Sequence, residues 1–137
     1  MPKITNFKGG RLIVMRIIYT KKAPEAIGPY SQGIISSTNL FTSGQIPVDP
    51  ETGTVVGGGI AAQAEQSIQN VKAILEEAGT SLDKVVKTTC FLATMDDFTE
   101  FNKIYERHFV SKPARSCVAV RTLPKNVLCE IEVVAEI

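Results

Sequence analysis

Near the C-terminal end of the chain, Arg115 opens one β-prone run, and Glu130 and Glu132 stand at alternate positions of the next. A guanidinium presents a planar fork of donors that matches a carboxylate in bidentate fashion, so Arg115 could hold a small acid by its carboxyl end. A glutamate beside it could position or deprotonate water. Water attack on a polarised C=N bond needs those two parts and no metal. The glutamate would be pulled two ways, its pKa lowered by the opposite charge and raised by burial. The alternative is a solvated sheet face, the usual place for charged strand residues. Val134 shares the glutamates' side of its strand and Ala119 the arginine's. A face that mixes small apolar and charged positions suits a subunit interface with a site at its edge.

Cys117 alternates onto the arginine's side of its strand. A neighbouring cation lowers a thiol pKa, so Cys117 is either a rival nucleophile or a residue that lines the site. His108, the single histidine, lies at the end of a helical pattern, where an imidazolium meets the negative pole of the helix dipole. No spacing pairs it with Cys117. The three cysteines, Cys90, Cys117 and Cys129, are odd in number and widely spaced, unlike zinc ligands or a disulfide framework. They read as reduced thiols of an intracellular, cytoplasmic protein.

The elements that must position these residues follow from periodicity. Gly33-Ile34-Ile35 and Leu40-Phe41-Thr42, joined by polar turn residues, predict a hairpin. From Ile60 to Ala78 the apolar residues Ala64, Ile68, Val71, Leu75 and Ala78 recur with the helical period, and Gly79 stands where a left-handed C-cap belongs. Val85 to Ala93 reads as a buried strand. Asp97 and Glu100 form a capping-box pattern opening a second helix, whose stripe Phe98, Phe101, Tyr105, Phe109 is core packing rather than a cofactor site. Arg115 to Arg121 and Leu128 to Ile137 are the closing strands. In the last, Cys129, Ile131, Val133, Ala135 and Ile137 share a face suited to burial under the helices. The fold class is α+β: one sheet, two helices on one face, the other face left to solvent or a partner.

Composition bounds the reading. With 137 residues, 44% hydrophobic and 21% charged, the chain has the profile of one globular domain. A net charge of +1 gives no field that would make nucleic acid or an anionic membrane the main partner. No apolar run approaches the ~18 residues of a membrane span. Residues 1–14 differ from the rest and read as an N-terminal extension, disordered or loosely docked, ahead of a single domain over 15–137. They lack acidic residues, as a mitochondrial transit peptide does, but also lack serine, and Gly9-Gly10 interrupts any amphipathic helix.

Several segments together resemble the RidA/YjgF family of enamine/imine deaminases, also described as the endoribonuclease L-PSP family. They are Ala26-Ile27-Gly28-Pro29-Tyr30-Ser31-Gln32, Thr42-Ser43-Gly44-Gln45-Ile46-Pro47, Pro113-Ala114-Arg115-Ser116-Cys117-Val118, and Leu123-Pro124 followed by Glu130-Ile131-Glu132. The resemblance spans about residues 16 to 137. It implies a chorismate-mutase-like fold with a mixed sheet of about six strands, and a homotrimer with clefts between neighbouring subunits. It further implies hydrolysis of 2-aminoacrylate-type enamines and imines to 2-keto acids and ammonia, with no cofactor. By matching position, Arg115 would clamp the substrate carboxylate, Glu130 would orient the attacking water and Tyr30 would offer its hydroxyl. Ser43, Gly44, Asn102 and Cys117 would line the cleft. RNA cleavage, attributed to some family members, and ligand binding without turnover are the competing expectations. The single histidine and the lack of a basic, aromatic stripe speak against the first.

Overall fold

A computed structural model describes residues 3–8 and 11–137, with side chains from Met15 onward. The backbone runs β1 (Lys3–Lys8), β2 (Arg11–Ile18), β3 (Gly33–Ser36), β4 (Asn39–Thr42), α1 (Gly59–Glu77), β5 (Val85–Leu92), α2 (Phe98–His108), β6 (Ala114–Ala119) and β7 (Cys129–Glu136). The strands form one mixed sheet in the order β1-β2-β3-β4-β7-β5-β6. Every pairing is antiparallel except β5 with β6, the two strands joined through α2. Six strands, β2 to β7, answer to the expected sheet. The seventh is β1, which pairs with Arg11–Arg16 at the outer edge, inside the segment read from sequence as an extension. Residues 1, 2, 9 and 10 lie outside the described residues.

The helices cover one face. Along α1, Ile60, Ala64, Ile68, Val71, Ile74 and Leu75 are buried, and each large aliphatic among them contributes about 1.5–3 kcal/mol relative to exposure. The helix ends as its pattern predicts. Gly79 takes φ +84° and donates to the Glu76 carbonyl, and Thr80 donates to that of Leu75, closing a Schellman motif. The start of α2 departs from expectation. Asp97 makes no side-chain cap; Met95–Asp97 form a 3-10 turn capped by Thr94, whose Oγ1 accepts the Asp96 N–H at 3.2 Å. Phe101, Tyr105 and Phe109 are buried, with the Tyr105 and Phe109 rings stacked at 4.4 Å.

In β7 the alternation holds from Cys129 to Ala135, the odd positions lying under the helices and Glu130, Glu132 and Val134 facing outward. Ile137, expected on the buried side, is exposed where the strand runs out. His108 has a partner that its helix-end setting did not reveal: Nε2 lies 2.7 Å from Glu65 Oε2 and ties α2 to α1. Among the described residues no helix is long and apolar enough to cross a membrane.

Candidate active site

The residues singled out from sequence fall into two groups. The first is built on β6 and α2. Phe98, Asn102 and Tyr105 follow the helical repeat and so share one side of α2, which overhangs the edge strand. Arg115 lies beneath them, its guanidinium carbon 5.5 Å from the Phe98 ring centre and 4.7 Å from that of Tyr105. Aromatic faces attract a guanidinium and hold its plane. One arm of the fork donates to Asn102 Oδ1 at 2.7 Å. Tyr105 is steadied from below by a 2.8 Å hydrogen bond between its hydroxyl and Thr88 Oγ1, and burial raises its pKa. Among the described residues no carboxylate lies within ion-pair reach of Arg115. A caged, part-buried cation without a counter-ion has donors that can take an anionic ligand. Cys117 lies two residues on, half-buried against the core.

The second group is built on β7 and the loops before and after the β3–β4 pair. Glu130 projects from β7 across the backbone of Gly44. A Cβ at position 44 would stand 2.0 Å from Glu130 Oε1 and 2.8 Å from its carboxyl carbon. A side chain there would displace the Glu130 carboxylate; the constraint is close approach, not a left-handed φ. The loop is fastened beside the carboxylate by two backbone hydrogen bonds between Gln45 and Ile131, 2.8 and 3.1 Å long. Burial, then the like charge of Glu132, raises the pKa of Glu130. The opposing pull expected from Arg115 is absent within one chain, so the shift is upward. Ser43 donates its hydroxyl to the Ser31 carbonyl at 2.6 Å. Tyr30 is half-exposed, and its hydroxyl accepts from the Ile27 N–H at 3.3 Å. Tyr30 and Gly44 line a cleft of about 430 Å³ together with Gln32, Gln45, Ile46 and Lys125.

Two buried amides, Gln32 and Asn70, hold these loops, a role the sequence did not reveal. Gln32 accepts from the Thr20 N–H at 2.8 Å, and its Nε2 lies 3.0, 3.3 and 2.8 Å from the carbonyls of Thr20, Ala23 and Pro24. Asn70 on α1 donates to the carbonyls of Ile46 and Val48 at 3.0 and 2.9 Å. Neither could be read from sequence, where each is one more polar residue.

The expected sharing of a face by Arg115, Glu130 and Glu132 is not what the register produces. Arg115 pairs with Thr88 and Thr88 with Val133, both buried under the helices. Glu130 pairs with Phe91, and Phe91 with Val118 on the open side. The arginine and the glutamate thus leave the sheet from opposite faces. Two strand spacings of about 4.8 Å and three residues of strand, at about 3.4 Å each, also separate them. Arg115, Asn102 and Cys117 come together; Glu130, Gly44, Ser43 and Tyr30 come together; the two groups do not meet within one chain. The open face between them carries exposed Phe41 and Val118 beside Lys87, Glu130 and Glu132.

The sequence profile of the family described as Endoribonuclease L-PSP matches residues 20–137. The chain belongs to this family. It is 50% identical over 124 residues to the 2-iminobutanoate/2-iminopropanoate deaminase of Salmonella typhimurium, covering 88% of this chain and 96% of that one. Among solved structures, a protein of the conserved Rid family from Yersinia pestis superposes with a TM-score of 0.87 at 46% identity, covering 90% of this chain and 99% of the other. The Escherichia coli TdcF crystal structure with bound serine gives a TM-score of 0.85 at 44% identity, covering 89% and 98%. Family membership confirms the α+β sheet with two helices on one face and the recognition made from the Tyr30, Gly44 and Arg115 segments.

Proposed function

We propose that the protein hydrolyses small 2-imino acids and their enamine tautomers to 2-keto acids and ammonia. The supporting observation is Arg115, a cation caged by two rings and an amide with no carboxylate partner among the described residues. Its free donors suit a substrate carboxylate. The named activity of the Salmonella relative supports the reaction class. In this reading Glu130 takes a proton from water as the oxygen adds to the C=N carbon and returns it to the departing nitrogen. Tyr30 and Ser43 line the approach, with Gly44 leaving room for the carboxylate.

The split geometry supports an assembly in which the arginine group of one copy meets the glutamate group of the next, closed as a homotrimer. The exposed Phe41 and Val118 on the open sheet face are of the kind an interface covers. A threonine or serine dehydratase that generates the enamine in situ tests the activity: added protein should speed keto-acid release, and Arg115→Ala should abolish the gain. An unchanged rate in that variant overturns the assignment. Binding of a keto acid without any turnover by wild type would leave a ligand-binding trimer instead. Light scattering that returns the mass of a monomer would sink the shared-site arrangement.

A further inference from the structure

Cys90 and Cys117 are register partners on the parallel strands β5 and β6, so both side chains leave the sheet on the helix-covered side. Adjacent strands lie about 4.8 Å apart, within the Cα separation that a disulfide spans. Cys90 Sγ lies 4.0 Å from Thr88 Oγ1, on the same side of the sheet as Cys117. Their surroundings differ. Cys90 is fully buried, whereas Cys117 is partly exposed at the sheet edge, two residues from the Arg115 guanidinium. The neighbouring Cys90 thiol, helped by Arg115 and opposed by burial, brings the Cys117 thiol down to about 7. The Cys117 neighbour and burial push Cys90 up. Cys129 is an internal control: buried, in contact with Ser67, its thiol pushed up to about 12 chiefly by burial.

We propose that Cys90 and Cys117 form a redox modification site, in which a hydroperoxide oxidises Cys117 and Cys90 closes a cross-strand disulfide. The Cys117 thiolate attacks the peroxide; an S–O bond forms, the O–O bond breaks, and the leaving oxygen departs as water or an alcohol. Cys90 then attacks the sulfenic sulfur, its own proton leaving with the displaced hydroxide as water. Two thiols lose two electrons and the peroxide gains them. Thiol–disulfide exchange with an external dithiol makes the modification reversible. It also cross-links the edge strand two residues from Arg115. The effect on turnover rests on the deaminase reading; formation of the bond does not.

Peptide mapping of the full chain after hydrogen peroxide, with free thiols alkylated on unfolding, tests this. The expected result is a loss of two hydrogens, the Cys90 and Cys117 peptides linked, Cys129 alkylated, and reversal by dithiothreitol. In Cys90→Val the link is absent and Cys117 is trapped as a sulfenic acid by dimedone. Three outcomes overturn the proposal: Cys117 overoxidised in wild type with Cys90 still alkylatable, a link between two copies through Cys117, or thiols untouched at peroxide levels that oxidise free cysteine. The oxidised protein should lose at least tenfold in enamine hydrolysis and recover on reduction. A protein that forms the link but never shows turnover keeps the redox site and loses the deaminase.

Discussion

The arginine group and the glutamate group are held by different physics. Arg115 is fixed by packing: its strand is an edge of the sheet, and rings of α2 close over a guanidinium whose plane they match. Glu130 is fixed by backbone: its carboxylate rests on a glycine, in loops tied by Gln45, Gln32 and Asn70 to carbonyl and N–H groups. Changes in the first region should alter affinity and charge. Changes in the second should alter the placement of water, or the loops themselves.

The sharpest way to break the contrast is Arg115→Ala. Two charge-assisted hydrogen bonds to a carboxylate are together worth about 4 kcal/mol, so kcat/KM should fall about a thousandfold, with little change in thermal unfolding. Arg115→Lys keeps the charge without the fork and should recover only part of the loss. Gly44→Ala probes the other region. The new methyl meets the flexible end of Glu130, so the fold should survive while the carboxylate is displaced by an ångström or more. A misplacement of that size costs roughly a hundredfold in kcat, with KM nearly unchanged because Arg115 is untouched. An equal loss in KM would show that the two regions are not separable in this way.

Gln32→Ala should act on stability. It strands a buried N–H and several carbonyls, at about 2–4 kcal/mol, read as a lower denaturation midpoint in urea. Phe98→Leu removes one ring from the arginine cage and should raise KM only about threefold, as a cation–π contact of about 0.5–1 kcal/mol implies.

The smallest effect on stability concerns Glu130. Its pKa is raised by burial and then by Glu132, so the folded protein holds that proton more tightly than the unfolded chain does. The stabilisation is fully present below the unfolded value and lost as pH rises through the folded one. Glu130→Gln should therefore melt slightly higher than wild type at neutral pH, with the gap closing on acidification, even as turnover collapses. A lower melting temperature at neutral pH would show that the carboxylate is a structural partner instead.

Much of the architecture was legible because periodicity reports burial. The helical repeat of α1 ending at Gly79, the two-residue alternation of β7 and the aromatic stripe of α2 each name a buried side without reference to the rest of the fold. The motifs around Tyr30, Gly44 and Arg115 likewise identify the family. The pairing of Lys3–Lys8 at the sheet edge was not legible, since that segment carries no clean alternation. The capping pattern at Asp97 misled because a 3-10 turn over Met95–Asp97 precedes the helix and takes its cap from Thr94.

What the sequence determined by itself was the set of chemical groups and the side of each strand they occupy relative to their own neighbours. A period of two fixes parity within a strand but says nothing of which parity faces the helices in the next one. That choice is made by register, Cys90 against Cys117 and against Ile131, and it sends Arg115 beneath α2 and Glu130 to the open face. Burial of Gln32, the bare backbone of Gly44 under a carboxylate and the meeting of two thiols depend on contacts between residues distant in the chain. Only the folded structure brings them together.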